Sequence, residues 1–135
     1  RNAIVTVDRS DALHRSKSVS ILKSILGKGI SILVFPEGTF NKTTEPVKDF
    51  YDGAFRIAIE TRTPLKPVLF LDSYRRLSYK SLFSLTPGPC RVLYLDEIPV
   101  TDYGISDIRK LKMEVHAIMK RKMIEYDGSW RKKGN

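Results

Sequence analysis

The fold of this chain is decided by one stretch, Ile30-Ser31-Ile32-Leu33-Val34-Phe35-Pro36-Glu37-Gly38-Thr39. Its first six residues are a short apolar run rich in β-branched side chains, which predicts a strand buried on both faces of a parallel sheet. Pro36 lacks the amide hydrogen that a ladder needs, and Gly38 tolerates unusual backbone angles, so the strand should end there. Glu37 and Thr39 would then lie at the carboxyl end of a buried strand, where open α/β sheets bind their ligands.

A second strand and a helix precede this stretch. Residues 3–7 predict a short buried strand, with Arg9 at its carboxyl end. A helix should follow, capped by Ser10-Asp11 or by Ser16, with apolar residues at helical spacing, and should end at the glycines at positions 27 and 29. A βαβ unit of this kind is nearly always right-handed and places its two strands parallel. Arg9 and Glu37 are therefore expected at the same rim of the sheet.

The rest of the chain continues the alternation of helices and strands. We expect a polar loop at 41–49, a helix at 50–61, strands at 65–71 and 91–95, and a last helix that opens at Ser106. The expected apolar face of that helix is Ile108, Leu111, Val115 and Ile118, and its basic residues are Lys110, Lys112, Lys120, Arg121 and Lys122. Residues 72–89 read either as a packed surface loop or as an apolar lip that touches lipid. The predicted fold class is α/β, a mostly parallel β-sheet flanked by helices.

Composition narrows the class of protein and of partner. The 135 residues suit one domain with a sizeable core, and one cysteine, Cys90, excludes an intrachain disulfide. The sequence contains no apolar run of the roughly 18 residues that a membrane-spanning helix needs. A formal charge of +9 points to an anionic partner, such as phospholipid headgroups, a nucleotide-bearing thioester or nucleic acid.

Four blocks of the sequence resemble a known family in the family's own order. Phe35-Pro36-Glu37-Gly38-Thr39 is similar to the Phe-Pro-Glu-Gly-Thr block of the glycerolipid acyltransferases, whose members include lysophosphatidic acid acyltransferases. Residues 4–9 resemble the earlier block that ends in a substrate-binding arginine, and residues 50–58 resemble the helix that follows the Glu-Gly loop. Residues 63–68 resemble the last, proline-flanked block. The resemblance thus covers about half of the chain.

The resemblance implies a glycerol-3-phosphate acyltransferase-like fold and a set of substrate-binding residues. These are Arg9, Glu37, Gly38, Thr39 and Pro67. Arg9 would bind a phosphate with its planar fork of donors. Glu37 would orient Arg9 or accept a hydrogen bond from a glycerol hydroxyl. The family commonly has arginine and serine after Gly-Thr, whereas this chain has Phe40 and Asn41, so Lys42 or Lys48 would have to replace the missing cation.

The general base of the family, a His-x-x-x-x-Asp block, is not found in this sequence. The fifth residue after His14 is Val19, and the fifth after His116 is Arg121. We therefore expect the block to lie upstream of Arg1. Residues 1–127 would then be the C-terminal part of an acyltransferase domain that is truncated at its N-terminus, and residues 128–135 would be a basic tail. The chain alone should then be inactive.

The expected function is 1-acyl-sn-glycerol-3-phosphate acyltransferase activity, in which an acyl thioester and lysophosphatidic acid give phosphatidic acid. The donor would be carried by coenzyme A or acyl carrier protein, with no bound cofactor, no metal and no nucleic-acid partner. The protein would work at an anionic membrane surface on its cytoplasmic side. The alternatives are another acceptor, such as glycerol 3-phosphate or another lysolipid, and a non-enzymatic basic module that binds membranes or nucleic acid.

Overall fold

The computed structural model describes residues 12–77 and 85–130, the first four of them as backbone only. The helices are α1 (Ala12–Gly27), α2 (Gly53–Thr61), α3 (Ser73–Arg76) and α4 (Ile108–Glu125), and the strands are β1 (Val68–Phe70) and β2 (Val92–Tyr94). A 3-10 turn at Ile105–Asp107 leads into α4. The predicted helices that end at position 27, span 50–61 and begin at 106 are confirmed, and β1 and β2 lie within the strands predicted at 65–71 and 91–95. The strand predicted at 3–7 lies outside the described residues, as do residues 78–84 of the predicted loop or lip.

The two described strands pair antiparallel. Val68 lies opposite Tyr94, Leu69 opposite Leu93, and Phe70 opposite Val92, and a bridge from Leu65 to Ile98 continues the pairing. Leu69 and Leu93 point to the core, while the residues on either side of them in the two strands are more exposed. The mostly parallel sheet that the sequence predicts is therefore not confirmed in the described ranges. The expected parallel partners were residues 3–7 and 30–35, and the first of these is not described.

The prediction of a strand at 30–35 is wrong for the described structure. None of these residues forms a ladder with another described residue. The side chains of Leu33 and Phe35 are 66% and 63% exposed. Phe35 lies against Phe70, with 6.3 Å between ring centroids. A strand's N–H and C=O groups must be taken up by a neighbouring strand, and the neighbour that the sequence predicts, residues 3–7, lies outside the described residues.

The core lies between α2, α4 and the two-stranded sheet. α2 contributes Phe55, Ala58 and Ile59, which share one face at helical spacing. The core consists of Val47, Phe50, Phe55, Ala58, Ile59, Leu69, Leu71, Leu95, Val100, Ile108, Leu111, Val115 and Met123. The predicted apolar face of α4 is thereby confirmed at Ile108, Leu111 and Val115, which are buried, and Ile118 packs against the core. Two core residues, Val47 and Phe50, come from the loop before α2 rather than from a helix or strand.

An ion pair between the buried Asp72 and the partly exposed Arg91 joins the ends of both strands to the end of α4. Asp72 accepts hydrogen bonds from Nε and Nη2 of Arg91 at 2.8 and 2.9 Å, and from the Arg91 backbone N–H at 2.9 Å. Arg91 also donates to the carbonyls of Tyr126 and Asp127, at 3.0 Å each. These contacts hold the pKa of Asp72 well below its usual range, because Arg91 donates to the ionised carboxylate. Sequence reasoning did not single out this pair.

Residues 128–130, expected in the basic tail, pack onto the same region. The Ser129 hydroxyl donates to the Leu71 carbonyl at 3.0 Å and accepts from the Arg75 N–H at 3.1 Å. Gly128 is buried, and Trp130 packs against the core. The packed part of the chain therefore reaches at least to Trp130.

Candidate functional site

A tight turn follows the apolar run at residues 36–39, called the Glu37 turn below. The Gly38 N–H donates to the Phe35 carbonyl at 3.1 Å, and the Tyr51 N–H donates to the Pro36 carbonyl at 2.9 Å. Gly38 has a φ of 71°, in the left-handed region, which costs a residue with a side chain about 1–2 kcal/mol. The sequence prediction that Gly38 takes unusual backbone angles is confirmed. The turn is held both within itself and to the start of α2.

Lys48 binds the Glu37 turn at three points. Its backbone N–H donates to Oε2 of Glu37 at 3.2 Å. Its Nζ donates to the Glu37 carbonyl at 3.2 Å and to Oγ1 of Thr39 at 2.7 Å. The ammonium has three N–H donors, so these two bonds leave a third for a ligand. Lys48 therefore supplies a half-buried cation at the turn, as the sequence analysis required of either Lys42 or Lys48.

The partial burial of Glu37 disfavours the charged form of its carboxyl group. Burial raises the pKa of its carboxyl above the ordinary value, because a carboxylate loses its hydration there. The hydrogen bond from the Lys48 N–H, the Lys48 ammonium and His116 oppose this and lower the pKa. Glu37 is thus an acceptor that is held by Lys48 rather than a freely solvated carboxylate.

Asn41, one of the two departures from the family pattern, shapes the loop after the turn. Its Oδ1 accepts hydrogen bonds from the N–H and the hydroxyl of Thr43, at 3.0 and 2.7 Å. Its Nδ2 donates to the Glu45 carbonyl at 2.9 Å. The neighbouring Phe40 is 64% exposed. Asn41 is therefore occupied by the loop itself, and Phe40 presents an apolar ring beside the turn.

The second part of this loop, residues 45–52, is tied to α4. Lys120 pairs with Glu45 at 2.6 Å, and Lys112 pairs with Asp52 at 2.5 Å. Between them, Nε2 of His116 lies 3.3 Å from the Val47 carbonyl. Two of the basic residues that the sequence analysis assigned to this helix are thus engaged in ion pairs within the protein.

The family follows from comparison with known proteins. The family model described as Acyltransferase matches residues 2–71, more than half of the chain. The chain belongs to the acyltransferase family. The matched range contains the Glu37 turn and all five residues that the resemblance assigned to substrate binding.

Relatives of this acyltransferase-family chain carry consistent names. It is 30% identical over 121 residues to a 1-acyl-sn-glycerol-3-phosphate acyltransferase of Salmonella typhimurium, covering 87% of this chain and 48% of the relative. It is 28% identical over 113 residues to the enzyme of that name from Cocos nucifera, covering 83% of this chain and 36% of the relative. The chain therefore spans about half, or less, of the length of these curated relatives.

A solved structure shares the fold of this family member. The 1-acyl-sn-glycerophosphate (LPA) acyltransferase PlsC from Thermotoga maritima matches with a TM-score of 0.72 at 25% identity, covering 89% of this chain and 48% of that one. The acyltransferase fold expected from the sequence is supported at this level. The predicted parallel arrangement of the strands is not supported, because the described strands form one antiparallel pair.

Two predicted site residues of this acyltransferase-family chain, Arg9 and Pro67, are not found in the described part of the Glu37 turn. Arg9 lies outside the described residues, so its predicted place beside Glu37 stays a prediction. Pro67 is buried next to β1, where its carbonyl accepts from the Leu95 N–H at 3.0 Å. The structure thus brings Glu37, Gly38 and Thr39 together around Lys48, and it uses Pro67 in the sheet.

The described ranges contain neither a cluster of metal-ligating side chains nor a membrane-spanning helix. Within 12–77 and 85–130, no group of three or more His, Cys, Asp and Glu side chains could hold a metal ion. No helix in the same ranges is both long and apolar enough to cross a membrane. His116 is the site residue that sequence reasoning missed, because it was judged only as a partner in a His-x-x-x-x-Asp block. Its helical spacing from Lys112 and Lys120 was the available signal.

Proposed function

We propose that the protein containing this chain is a 1-acyl-sn-glycerol-3-phosphate acyltransferase. It would transfer an acyl group from a thioester of coenzyme A or acyl carrier protein to lysophosphatidic acid and so produce phosphatidic acid. The observation that carries the proposal is the Lys48 ammonium, held against Thr39 and the Glu37 carbonyl inside the block that matches the family. The names of the relatives support the choice of acceptor.

Lys48 suits the phosphate of the acceptor. Its charge is fixed beside the backbone of Gly38, which has no side chain to block the approach of a ligand. The Thr39 hydroxyl accepts from Nζ through its oxygen, so its own proton is left to donate to a phosphate oxygen. Arg9 would add the planar pair of donors that suits a phosphate monoester. Together these groups offer charge-assisted hydrogen bonds of about 1.5–3 kcal/mol each.

The reaction needs more than an acceptor site. The acceptor hydroxyl attacks the thioester carbonyl, a base removes the hydroxyl proton, and the thiol leaves as the tetrahedral intermediate collapses. We propose that a His-x-x-x-x-Asp block outside this chain supplies the base. Glu37 would hold the glycerol part of the acceptor by accepting a hydrogen bond from its free hydroxyl. The chain alone is then expected to show no turnover, since a positioned base contributes about a hundred- to ten-thousand-fold.

The site of action is also part of the proposal. Lysophosphatidic acid and its product reside in membranes, and a net charge of +9 favours contact with anionic headgroups. We place the protein at the cytoplasmic surface of a membrane, where acyl-coenzyme A and acyl carrier protein are made available.

Steady-state acyl transfer by the full-length protein tests the function. Lysophosphatidic acid, glycerol 3-phosphate and uncharged monoacylglycerol are offered as acceptors, and lysophosphatidic acid should give the highest kcat/KM. Lys48→Met should reduce kcat/KM for lysophosphatidic acid about thirtyfold, as expected for about 2 kcal/mol of lost charge-assisted contact. The matched control Lys28→Met, at an exposed lysine after α1, should change it little.

Two results would reject the proposal. A preference for glycerol 3-phosphate would assign the same chemistry to another acceptor. If Lys48→Met lowers kcat/KM equally for monoacylglycerol and for lysophosphatidic acid, Lys48 does not act on the phosphate.

A further inference from the structure

One face of α4 contacts residues 45–52, the second part of the loop that holds the Glu37 turn, at three positions. Lys112, His116 and Lys120 are four residues apart, so they lie on one face of α4. They contact Asp52, Val47 and Glu45, which lie 60, 69 and 75 residues earlier in the chain. The three contacts fall at the end, the middle and the start of residues 45–52. α4 lies beyond the range 2–71 that matches the family model.

The middle contact is the one that reaches the site. The Val47 carbonyl and the Lys48 N–H belong to the same peptide unit, which is planar and rigid. Nε2 of His116 lies 3.3 Å from this carbonyl, and the Lys48 N–H donates to Oε2 of Glu37 at 3.2 Å. Because a carbonyl only accepts, Nε2 is the donor in this contact. One peptide plane therefore connects the imidazole on α4 to the carboxylate of the Glu37 turn.

The surroundings of His116 keep this plane in place. The imidazole ring meets the ring of Phe50 edge-on, with 5.1 Å between centroids. Val47 and Phe50 are both buried in the core beside α4. A donor on the carbonyl also polarises the peptide and strengthens its N–H as a donor to Glu37. His116 thus acts on Glu37 both by geometry and by polarisation.

We propose that His116 is a positioning residue for acceptor binding: through the Val47–Lys48 peptide it fixes Glu37 and Lys48 in the orientation that receives the acceptor. This inference rests on the proposed function for the identity of the acceptor. The two flanking ion pairs hold the ends of the loop, and His116 sets the orientation at its centre. The imidazole touches neither substrate nor reacting atoms in this role.

Two substitutions separate donation from packing. His116→Phe keeps an aromatic ring against Phe50 and removes the donor, whereas His116→Gln restores a donor amide. Met113→Ala is the matched control, because Met113 lies on the same helix and is 60% exposed. All variants are made in the full-length protein.

Two readouts are used, and one of them needs no activity. In His116→Phe, amide hydrogen exchange at Lys48 should accelerate about fivefold, the effect of losing one ordinary hydrogen bond, while exchange in β1 and β2 stays unchanged. The KM for lysophosphatidic acid should rise by a similar factor, with the KM for the thioester and kcat little changed. His116→Gln should recover most of both effects, and Met113→Ala should match the wild type.

The outcomes separate this inference from the function on which it rests. Unchanged Lys48 exchange in His116→Phe, or equal acceleration in β1 and β2, overturns the positioning role, since the second pattern reports general loss of stability. If the wild type fails to acylate lysophosphatidic acid but amide exchange at Lys48 is faster in His116→Phe, the proposed function is rejected. The coupling between His116 and Lys48 then remains. A wild type that is active, with an unchanged acceptor KM in His116→Phe, rejects the role of His116 in acceptor binding.

Discussion

Replacing Asp72 by asparagine should lower the free energy of unfolding of this protein more than replacing an exposed acidic residue does. Asparagine has nearly the same shape, but it presents an NH₂ group where one carboxylate oxygen now accepts from Arg91. A donor would then face a donor. The negative charge that balances the Arg91 guanidinium would also be lost.

The magnitude follows from the contacts and their burial. Asp72 is 2% exposed and accepts three hydrogen bonds from Arg91, whereas the Arg91 side chain is 45% exposed. Removing one member of a fully buried pair costs about 3–5 kcal/mol. Water reaches Arg91 and compensates part of the loss, so we expect about 3 kcal/mol. For a chain of this length that lowers Tm by about 10 °C.

Urea and thermal unfolding, followed by circular dichroism, measure this loss. Asp96→Asn, an exposed acid just after β2, is the matched control and should change the free energy of unfolding by less than about 0.5 kcal/mol. The pH dependence gives a second check. The folded-state pKa of Asp72 is lowered, so its stabilisation is fully present above the ordinary value of 3.8 and is lost as pH falls below it. A difference below 1 kcal/mol at pH 7, or one that persists undiminished at pH 2, would refute the reasoning.

Three further results are expected. Arg9→Ala should raise the KM for lysophosphatidic acid about thirtyfold, and Arg9→Lys should recover part of this; an equal effect on monoacylglycerol in the same kinetic assay would make Arg9 structural. Glu37→Gln should lower turnover with a smaller change in acceptor KM. Burial raises the pKa of Glu37, so the wild type loses the stability that comes from protonated Glu37 as pH rises above 4.5. Urea unfolding should therefore show that the free energy of unfolding of Glu37→Gln increases relative to that of the wild type over this pH range. A difference that does not change with pH would contradict this. Sedimentation should show binding to anionic but not neutral vesicles, weakening with salt, and Arg121→Ala should reduce it more than Lys120→Ala, because Lys120 already pairs with Glu45. Equal binding to both vesicle types would exclude an electrostatic anchor.

The helices could be predicted from the sequence because their signals are local. Apolar residues at helical spacing predicted the buried face of α4 at Ile108, Leu111 and Val115. The turn at Gly38 could also be predicted, since only a residue without a side chain takes its φ of 71° without strain. The family was recognisable for the same reason, because the Phe-Pro-Glu-Gly-Thr block is continuous in the sequence.

The positions of β1 and β2 fall within strands predicted from the sequence, but the pairing of the strands and the electrostatic contacts could not be predicted in this way. Residues 30–35 have the composition of a buried strand, yet a strand exists only when a neighbour takes up its backbone hydrogen bonds. The hydropathy of β1 and β2 likewise does not state whether they run parallel or antiparallel. Pairing depends on which segments meet, and that is a property of the tertiary structure.

The sequence by itself determined the family, the helices α1, α2 and α4, and the turn that presents Glu37, Gly38 and Thr39. Only the tertiary structure decided that Lys48 binds this turn, and that His116 lies behind it. Those partners are 9 to 79 residues apart along the chain and lie on different elements, whereas helical spacing relates only residues on the same helix. Charged and polar side chains such as Lys112 and Lys120 look alike whether they are solvated or paired, so packing alone assigned them to the loop.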